Sequence, residues 1–222
     1  MKQRAAIHFL EHVLTSSNDL AFVVGVANSV LVVQDFSSDQ QQLAHAVNQL
    51  APGGGTAVWD AVSYAAKKLA SREETGPVAK LLVVMSDGKD NSSTSTLKEA
   101  IESADAGDVF VYTLCTAEVG DQRDPLVEAH PNLLGPRAMK LLAEATGGAS
   151  LTPHTFRGLD STLGSIQELI RSRYLISYKP ADFTPDGSYR RIEISASRSG
   201  HKLRVYARRG YYTRKQLTAR NN

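Results

Sequence analysis

Lys80-Leu-Leu-Val-Val-Met-Ser-Asp87-Gly-Lys-Asp90 is the stretch on which the reading of the chain turns. Leu81 to Met85 is an unbroken apolar run closed by Ser86-Asp87-Gly88. A run that is apolar on both faces predicts a central strand of a parallel sheet, covered by helices on either side. Ligands of open α/β sheets bind beyond the carboxyl ends of such strands. Asp87 stands at that end, and Gly88 permits a sharp exit from the strand.

Working outward, the chain opens in a helix with Ala6, Ile7, Leu10, Val13 and Leu14 at helical spacing. Its other side carries His8-Phe-Leu-Glu11-His12, which matches the H-x-x-E-H pattern of one class of zinc protease. Gln3, Arg4, His8, Glu11, His12 and Thr15 together read as a solvated face, and no second metal-binding helix accompanies them. Leu20–Ala27 and Ser29–Phe36 predict two antiparallel strands around a turn at Ala27-Asn28. Ser37-Ser-Asp39 predicts the cap of a helix bearing Leu43, Ala46, Val47 and Leu50. Pro52-Gly53-Gly54-Gly55-Thr56 leads directly into a helix from Ala57 to about Ala70.

Beyond the opening stretch, Thr96-x-x-Glu99 is a capping box for a helix to about Ala106. Asp108–Cys115 reads as a strand, and 117–135 as a long polar loop with Glu118, Asp121 and Asp124. A short helix runs from Pro136 to about Thr146, stopped by Gly147-Gly148. A short strand at 149–152 and a helix at 159–173 follow. From Tyr174 the period becomes two, in Tyr174–Lys179, Tyr189–Ala196 and Lys202–Arg208, with turns at Pro185-Asp-Gly-Ser and Arg198-Ser-Gly-His. The expected organisation is an α/β domain over 1–173, a small antiparallel β extension over 174–213, and a frayed tail over 214–222.

The chain has 222 residues, 42% of them hydrophobic and 22% charged, as in an ordinary globular protein. No apolar run approaches the roughly 20 residues of a membrane span, and the first residues lack a signal-peptide pattern. Cys115, the one cysteine, reads as a buried inert thiol. The net charge of +2 conceals a division: residues 1–150 hold 11 basic against 18 acidic residues, net −7, and 151–222 hold 14 against 5, net +9. The basic residues are spread through alternating strand patterns rather than clustered, which argues against nucleic acid as a partner.

Three readings of Gly53-Gly54-Gly55-Thr56 stand side by side. The loop could cradle a phosphate at a helix N-terminus, although it matches neither Gly-rich nucleotide fingerprint and follows a helix rather than a strand. It could simply be a flexible helix start. Or Thr56 could join Asp87 as a second hard oxygen ligand for Mg²⁺ or Mn²⁺. Asp60, one turn later, would then add charge beside the site or face water.

The order of elements, from hairpin strand through Gly-Gly-Gly-Thr to an apolar strand ending Ser-Asp-Gly, resembles the von Willebrand factor type A domain. Tyr174-Leu-Ile-Ser-Tyr178 and Ala207-Arg-Arg-Gly-Tyr211 resemble the tail of a bacterial family related to it. The resemblance implies a Rossmann-like α/β fold with a mostly parallel sheet, one antiparallel edge strand and flanking helices. It also implies a metal-ion-dependent adhesion site. Thr56 and Asp87 match two of that site's three loops, supported by Gly53, Gly54, Gly55, Ser86 and Gly88. The family's first loop, D-x-S-x-S after a central first strand, has no counterpart ahead of the first helix. A truncated chain, two strand edges facing a gap, and weak or absent metal binding are the expectations.

The implied function is a non-catalytic protein-interaction module, with an acidic side chain of a protein partner completing the metal's coordination. The resemblance also implies an exported parent protein. The competing expectation is a Rossmann-like hydrolase or nucleotide-binding enzyme using loop 53–56 and Asp87. No Gly-x-Ser-x-Gly elbow or convincing histidine partner accompanies it.

Overall fold

The computed structural model describes residues 2–51, 53–74, 76, 78–116, 135–153, 158–174, 176, 178–180, 184 and 186–213. The long polar loop read at 117–135, apart from Gly135, and the tail from 214 lie outside the described residues. The N-terminal helix α1 spans Lys2–Val13, and the hairpin strands β1 and β2 span Ala21–Val26 and Val30–Ser37. Helix α2 is Gln40–Gln49, α3 is Val58–Ala70, and β3 is Lys80–Ser86. Then come α4 (Leu97–Ala106), β4 (Val109–Cys115), α5 (Gly135–Ala145), β5 (Ser150–Leu151) and α6 (Leu159–Arg171).

The expected α/β architecture is present. β3 and β4 pair in parallel over their full length, from Lys80 opposite Val109 to Ser86 opposite Cys115, and β5 adds to the far side of β4. β1 and β2 form a separate antiparallel pair. β3 is therefore hydrogen-bonded on one edge, and its apolar residues Leu81 to Met85 stay only partly buried. The position of a fully covered central strand falls to β4, where Val109, Val111 and Leu114 are completely buried. The opening stretch was read as that central strand; among the described residues it pairs with β4 alone.

Two helices brace the separate sheets. α1 has two apolar faces: Ala5 and Phe9 pack with Leu81, Val83 and Met85 of β3. Ala6, Ile7, Leu10 and Leu14 pack with Val23 of β1 and with α2. The stripe read from sequence takes in the second face and, through Val13, the edge of the first, but not Ala5 or Phe9. Gln3, read as solvated, instead turns inward and donates from Nε2 to the carbonyls of Leu50 (2.6 Å) and Val47 (3.2 Å), closing the C-terminus of α2. On the opposite side Val58, Trp59, Val62 and Ala66 of α3 form a core with α4, β4 and α5, against which Leu82 and Val84 of β3 pack. The caps read from sequence are formed: Asp39 accepts from Gln41 and Gln42, and Thr96 and Glu99 make a reciprocal box.

After α6 the chain forms two short antiparallel pairs. Strand β6 (Tyr189–Arg191) pairs with β9 (Gly210–Tyr212), and β7 (Ser197–Arg198) pairs with β8 (His201–Lys202). Of the three strands read from the alternation, Tyr189–Ala196 and Lys202–Arg208 are thus too generous, and Tyr174–Lys179 lies partly outside the described residues. Tyr174, Ile176 and Tyr178 are exposed and belong to no strand, and 203–208 is irregular. This basic extension docks on the acidic body. Arg208 reaches Asp108 (2.6 Å), Arg209 reaches Glu144 (3.0 Å), and Arg173 and Arg208 stack on Phe110 at 3.4 and 4.8 Å from its centroid.

Asp105, at the end of α4, sits beneath that docking point with Oδ1 buried and without a hydrogen-bond partner among the described residues. Burial raises its pKa to about 6, with the charges of Asp108 and Glu102 adding to the rise and Arg208 opposing it. A folded-state value above the ordinary 3.8 means that protonation favours the fold. The contribution is complete below the ordinary value and is lost as pH rises through about 6. Asp105→Asn should therefore be more stable than the parent at pH 7, with the difference shrinking toward nothing near pH 4. Urea unfolding between pH 4 and 8 reads this directly; a variant weaker at pH 7 would show that attraction to Arg208 outweighs desolvation.

Candidate functional site

Three turns meet at one rim: the hairpin tip after β1, the loop before α3, and the loop after β3. Gly53 and Gly54 hold φ of 143° and 82°, in the left-handed region that glycine adopts without strain. Gly55 N–H donates to the side-chain oxygen of Asn28, and a Cβ on Gly55 would strike that oxygen and Ser92 Oγ. Thr56 N–H donates to Asn91 Oδ1 (2.7 Å), and Asn91 N–H returns a bond to the Thr56 carbonyl (3.0 Å). Ala57 N–H donates to the Ala27 carbonyl (2.8 Å). One short segment is thereby bonded to the ends of both sheets.

The loop after β3 is held to α3 by two carboxylates. Asp90 accepts from Trp59 N–H (3.1 Å), Ser93 N–H (3.1 Å) and Ser93 Oγ (2.6 Å). It thus caps a helix whose own N-cap, Ala57, offers no side-chain acceptor. Asp60 accepts from the N–H groups of Ser95 (2.7 Å) and Thr94 (2.9 Å), while its own N–H donates to Ser93 Oγ (3.0 Å). The hydrogen bond from Ser95, with those from Thr94, holds the Asp60 carboxyl below its ordinary pKa against the opposing effect of burial. Asp60 is neither a free charge beside the site nor a group facing bulk water; it fastens the 93–95 turn.

Thr56 and Asp87 stand on these joined loops, both half-buried. Asp87 Oδ1 accepts from Lys89 N–H (3.0 Å). Among the described residues, neither its Oδ2 nor the Thr56 hydroxyl has a hydrogen-bond partner. Ser86 is buried and accepts from Gly88 N–H (3.1 Å). Gly88 holds φ of 74° against Gly135 at the start of α5, where a Cβ would strike the Gly135 carbonyl. A hydroxyl and a carboxylate oxygen are the hard donors that Mg²⁺ and Mn²⁺ prefer, so the donor chemistry suits the implied cation. Among the described residues, no group of three or more His, Cys, Asp or Glu side chains is placed to hold a metal ion.

That geometry disfavours a phosphate cradle. The N–H groups of Gly55, Thr56, Ala57, Trp59 and Asp60 all donate to protein acceptors, so the start of α3 has few amides left for an anion. The His8 and His12 rings lie tilted to each other, centroids 4.2 Å apart, on an exposed face, with His12 Nδ1 at 2.7 Å from the His8 carbonyl. Asn28, Asp90 and Asn91 are contributors that the sequence reading did not single out. Their signal was short polar side chains beside glycine turns, the type that bonds nearby backbone.

Comparison with known proteins agrees with this architecture. The profile of the von Willebrand factor type A domain matches residues 8–128. A search of curated proteins finds no match. A solved von Willebrand factor type A protein from Catenulispora acidiphila superposes with a TM-score of 0.56 at 19% identity, over 76% of this chain and 37% of that one. This chain thus spans well under half of that relative. The vWF domain of the type V pili tip protein Mfa5 from Porphyromonas gingivalis superposes with a TM-score of 0.56 at 14% identity, over 79% and 88% of the two chains. Proximal thread matrix protein 1 from the mussel byssus, whose MIDAS motif is described as occupied by zinc, gives 0.55 at 15% identity, over 76% and 42%. At these identities the likeness is one of fold.

The Asp90 cap can be tested in isolation. Asp90→Ala removes the acceptor of Trp59 N–H and should cost about 1–2 kcal/mol of stability. Trp59 is the single tryptophan and is buried, so its fluorescence reports the unfolding transition. A loss below about 0.3 kcal/mol would mean that water caps α3 as well as Asp90 does.

Proposed function

The chain belongs to the von Willebrand factor type A domain family, and from that premise we propose a non-catalytic protein-interaction module acting through the rim around Gly55, Thr56 and Asp87. Domains of this family generally serve in protein–protein contact rather than catalysis. In this reading Thr56 Oγ1 and an Asp87 carboxylate oxygen hold a divalent cation, Mg²⁺ or Mn²⁺, and an acidic side chain of the protein partner completes its shell. The cation supplies an electrophilic contact point for that carboxylate. Gly53, Gly54, Gly55, Ser86 and Gly88 shape the two loops.

The observation that carries the reading is the pair of oxygens that have no partner among the described residues, on loops bonded to each other through Thr56 and Asn91. Two protein ligands with one formal charge between them make a weak site. The competing hydrolase or nucleotide-binding reading loses its main support because the loop amides are already bonded within the protein. An exported parent protein is part of the proposal, supported by a structural neighbour described as a pili tip protein. No helix among the described residues is long and apolar enough to cross a membrane.

Calorimetric titration tests the site. Mg²⁺ and Mn²⁺ should bind more weakly than about 10⁻⁴ M, with binding abolished in Asp87→Ala and weakened in Thr56→Ala. ATP with Mg²⁺ should neither add binding heat nor be hydrolysed. Micromolar cation binding that survives Asp87→Ala would place the metal elsewhere, and ATP binding lost with Gly55→Ala would revive the nucleotide reading.

A further inference from the structure

His8 and His12 share one exposed face of α1, an element that contributes nothing to the rim. Side chains four apart on a helix stand one above the other, and these two rings have centroids 4.2 Å apart. His12 Nδ1 lies 2.7 Å from the His8 carbonyl. A carbonyl only accepts, so Nδ1 carries the proton and the neutral ring keeps its lone pair on Nε2. A metal-ligating histidine is oriented in the same way, with its other nitrogen donating to a fixed acceptor. Among the described residues, neither His12 Nε2 nor the His8 ring nitrogens have a hydrogen-bond partner.

The backbone beneath the pair is held on several sides. Ala5 and Phe9 pack with β3, while Ile7 and Leu10 pack with β1 and α2. From α6, Gln167 Nε2 and Arg171 Nη2 each donate to the His12 carbonyl at 2.9 Å. From α2, Gln40 Nε2 donates to the carbonyls of Glu11 (3.2 Å) and Leu14 (2.9 Å). The last turn of α1 is thus closed by side chains of two helices, which satisfy carbonyls that would otherwise end unpaired. A rigid helix presents both imidazoles at fixed spacing, so little ordering is left for a ligand to impose. The charged groups nearby are Glu11, exposed beside His12, Arg4, one turn before His8, and Arg171 at the helix end.

We propose that His8 and His12 chelate one borderline transition-metal ion of the Zn²⁺ class, through His12 Nε2 and one ring nitrogen of His8, with water in the remaining positions. Imidazole nitrogen suits Zn²⁺, Ni²⁺ and Cu²⁺, whereas Mg²⁺ keeps to oxygen. The two places therefore select different metals, oxygen donors at the rim and nitrogen donors on α1. Among the described residues no third His, Cys, Asp or Glu joins the pair, so the site is open, unlike the closed four-ligand set of a structural zinc. The chelate exists only while α1 is helical, and an ion that binds the folded chain alone stabilises it.

The probe is Zn²⁺, titrated calorimetrically into the full chain and into Asp87→Ala, which disables the rim. Urea unfolding followed by Trp59 fluorescence is repeated with and without the ion. Zn²⁺ should bind both proteins alike and raise the urea midpoint of each. In the Asp87→Ala background, adding His8→Ala or His12→Ala should weaken zinc binding about tenfold or more and remove the rise in midpoint. Mg²⁺ should give no binding heat in that background. Both histidines are exposed, and unfolding without metal checks that their replacement leaves the fold intact. Absence of saturable Zn²⁺ binding, zinc binding that both histidine variants retain in full, or zinc binding lost with His45→Ala or Asp87→Ala instead would each overturn the proposal. Equal binding of Mg²⁺ and Zn²⁺ would overturn it too, since imidazole donors cannot account for that.

Discussion

The structure depends on the hydrogen bonds that segment 55–57 makes to Ala27 and Asn28 on one side and to Asn91 on the other. Among the described residues the two sheets share no ladder, and their relative position there rests on this staple and on the helices that lie across both. Each such bond contributes only about 0.5–1.5 kcal/mol net. Their importance is geometric: they fix backbone to backbone at the ends of two strands, where helix packing alone would allow sliding. Gly55 makes the staple possible, because any Cβ there would occupy the space of Asn28 Oδ1 and Ser92 Oγ. Close approach between protein segments thus accounts for Gly55, and the positive φ of Gly53 and Gly54 accounts for the other two, with no ligand required.

The same bonds decide what chemistry the rim can perform. A helix start attracts anions only when its amides are free. Here Asp90 and Ser93 take those of Trp59 and Asp60, and Asn28, Asn91 and Ala27 take those before them. With the donors consumed, what remains at the rim is oxygen: a hydroxyl at Thr56 and a carboxylate at Asp87. The surplus of acceptors favours a cation over a phosphate.

Much of this was legible in the sequence because it is written in local chemistry. The apolar run to Met85, the Asp39 cap, the Thr96–Glu99 box and the Gly147 stop all depend on residues within a few positions of one another. What was not legible depends on neighbours distant in the chain. Nothing near Gln3 announces that it closes α2, some 45 residues away, and nothing near Asp90 announces that it caps α3. The burial of β3 was overestimated for the same reason, since an apolar run reports what a strand could bury and its neighbours decide what it does bury. In the C-terminal extension, alternation suggested long strands, but paired strands require partners in register; among the described residues the ladders cover 189–191 with 210–212 and 197–198 with 201–202, each continued by a single backbone bond, Ile192 to Arg209 and Leu203 to Ala196.

The division of charge between body and extension looks at first like a purely electrostatic attachment, and its magnitudes argue otherwise. Asp108 is 79% exposed in its pair with Arg208, and Arg209 is 66% exposed in its pair with Glu144. Exposed pairs of this kind contribute at most about 1 kcal/mol and are screened by salt. Arg208 itself is only 16% exposed, because its guanidinium lies over Phe110, which also carries Arg173. Stacking of a desolvated guanidinium on an aromatic ring resists salt better than an exposed ion pair and adds apolar contact along the arginine stem. The buried, unpaired Oδ1 of Asp105 beneath that cluster is the cost of bringing the extension so close. The acidic body and basic extension therefore set the direction of approach, while packing around Phe110 holds the contact.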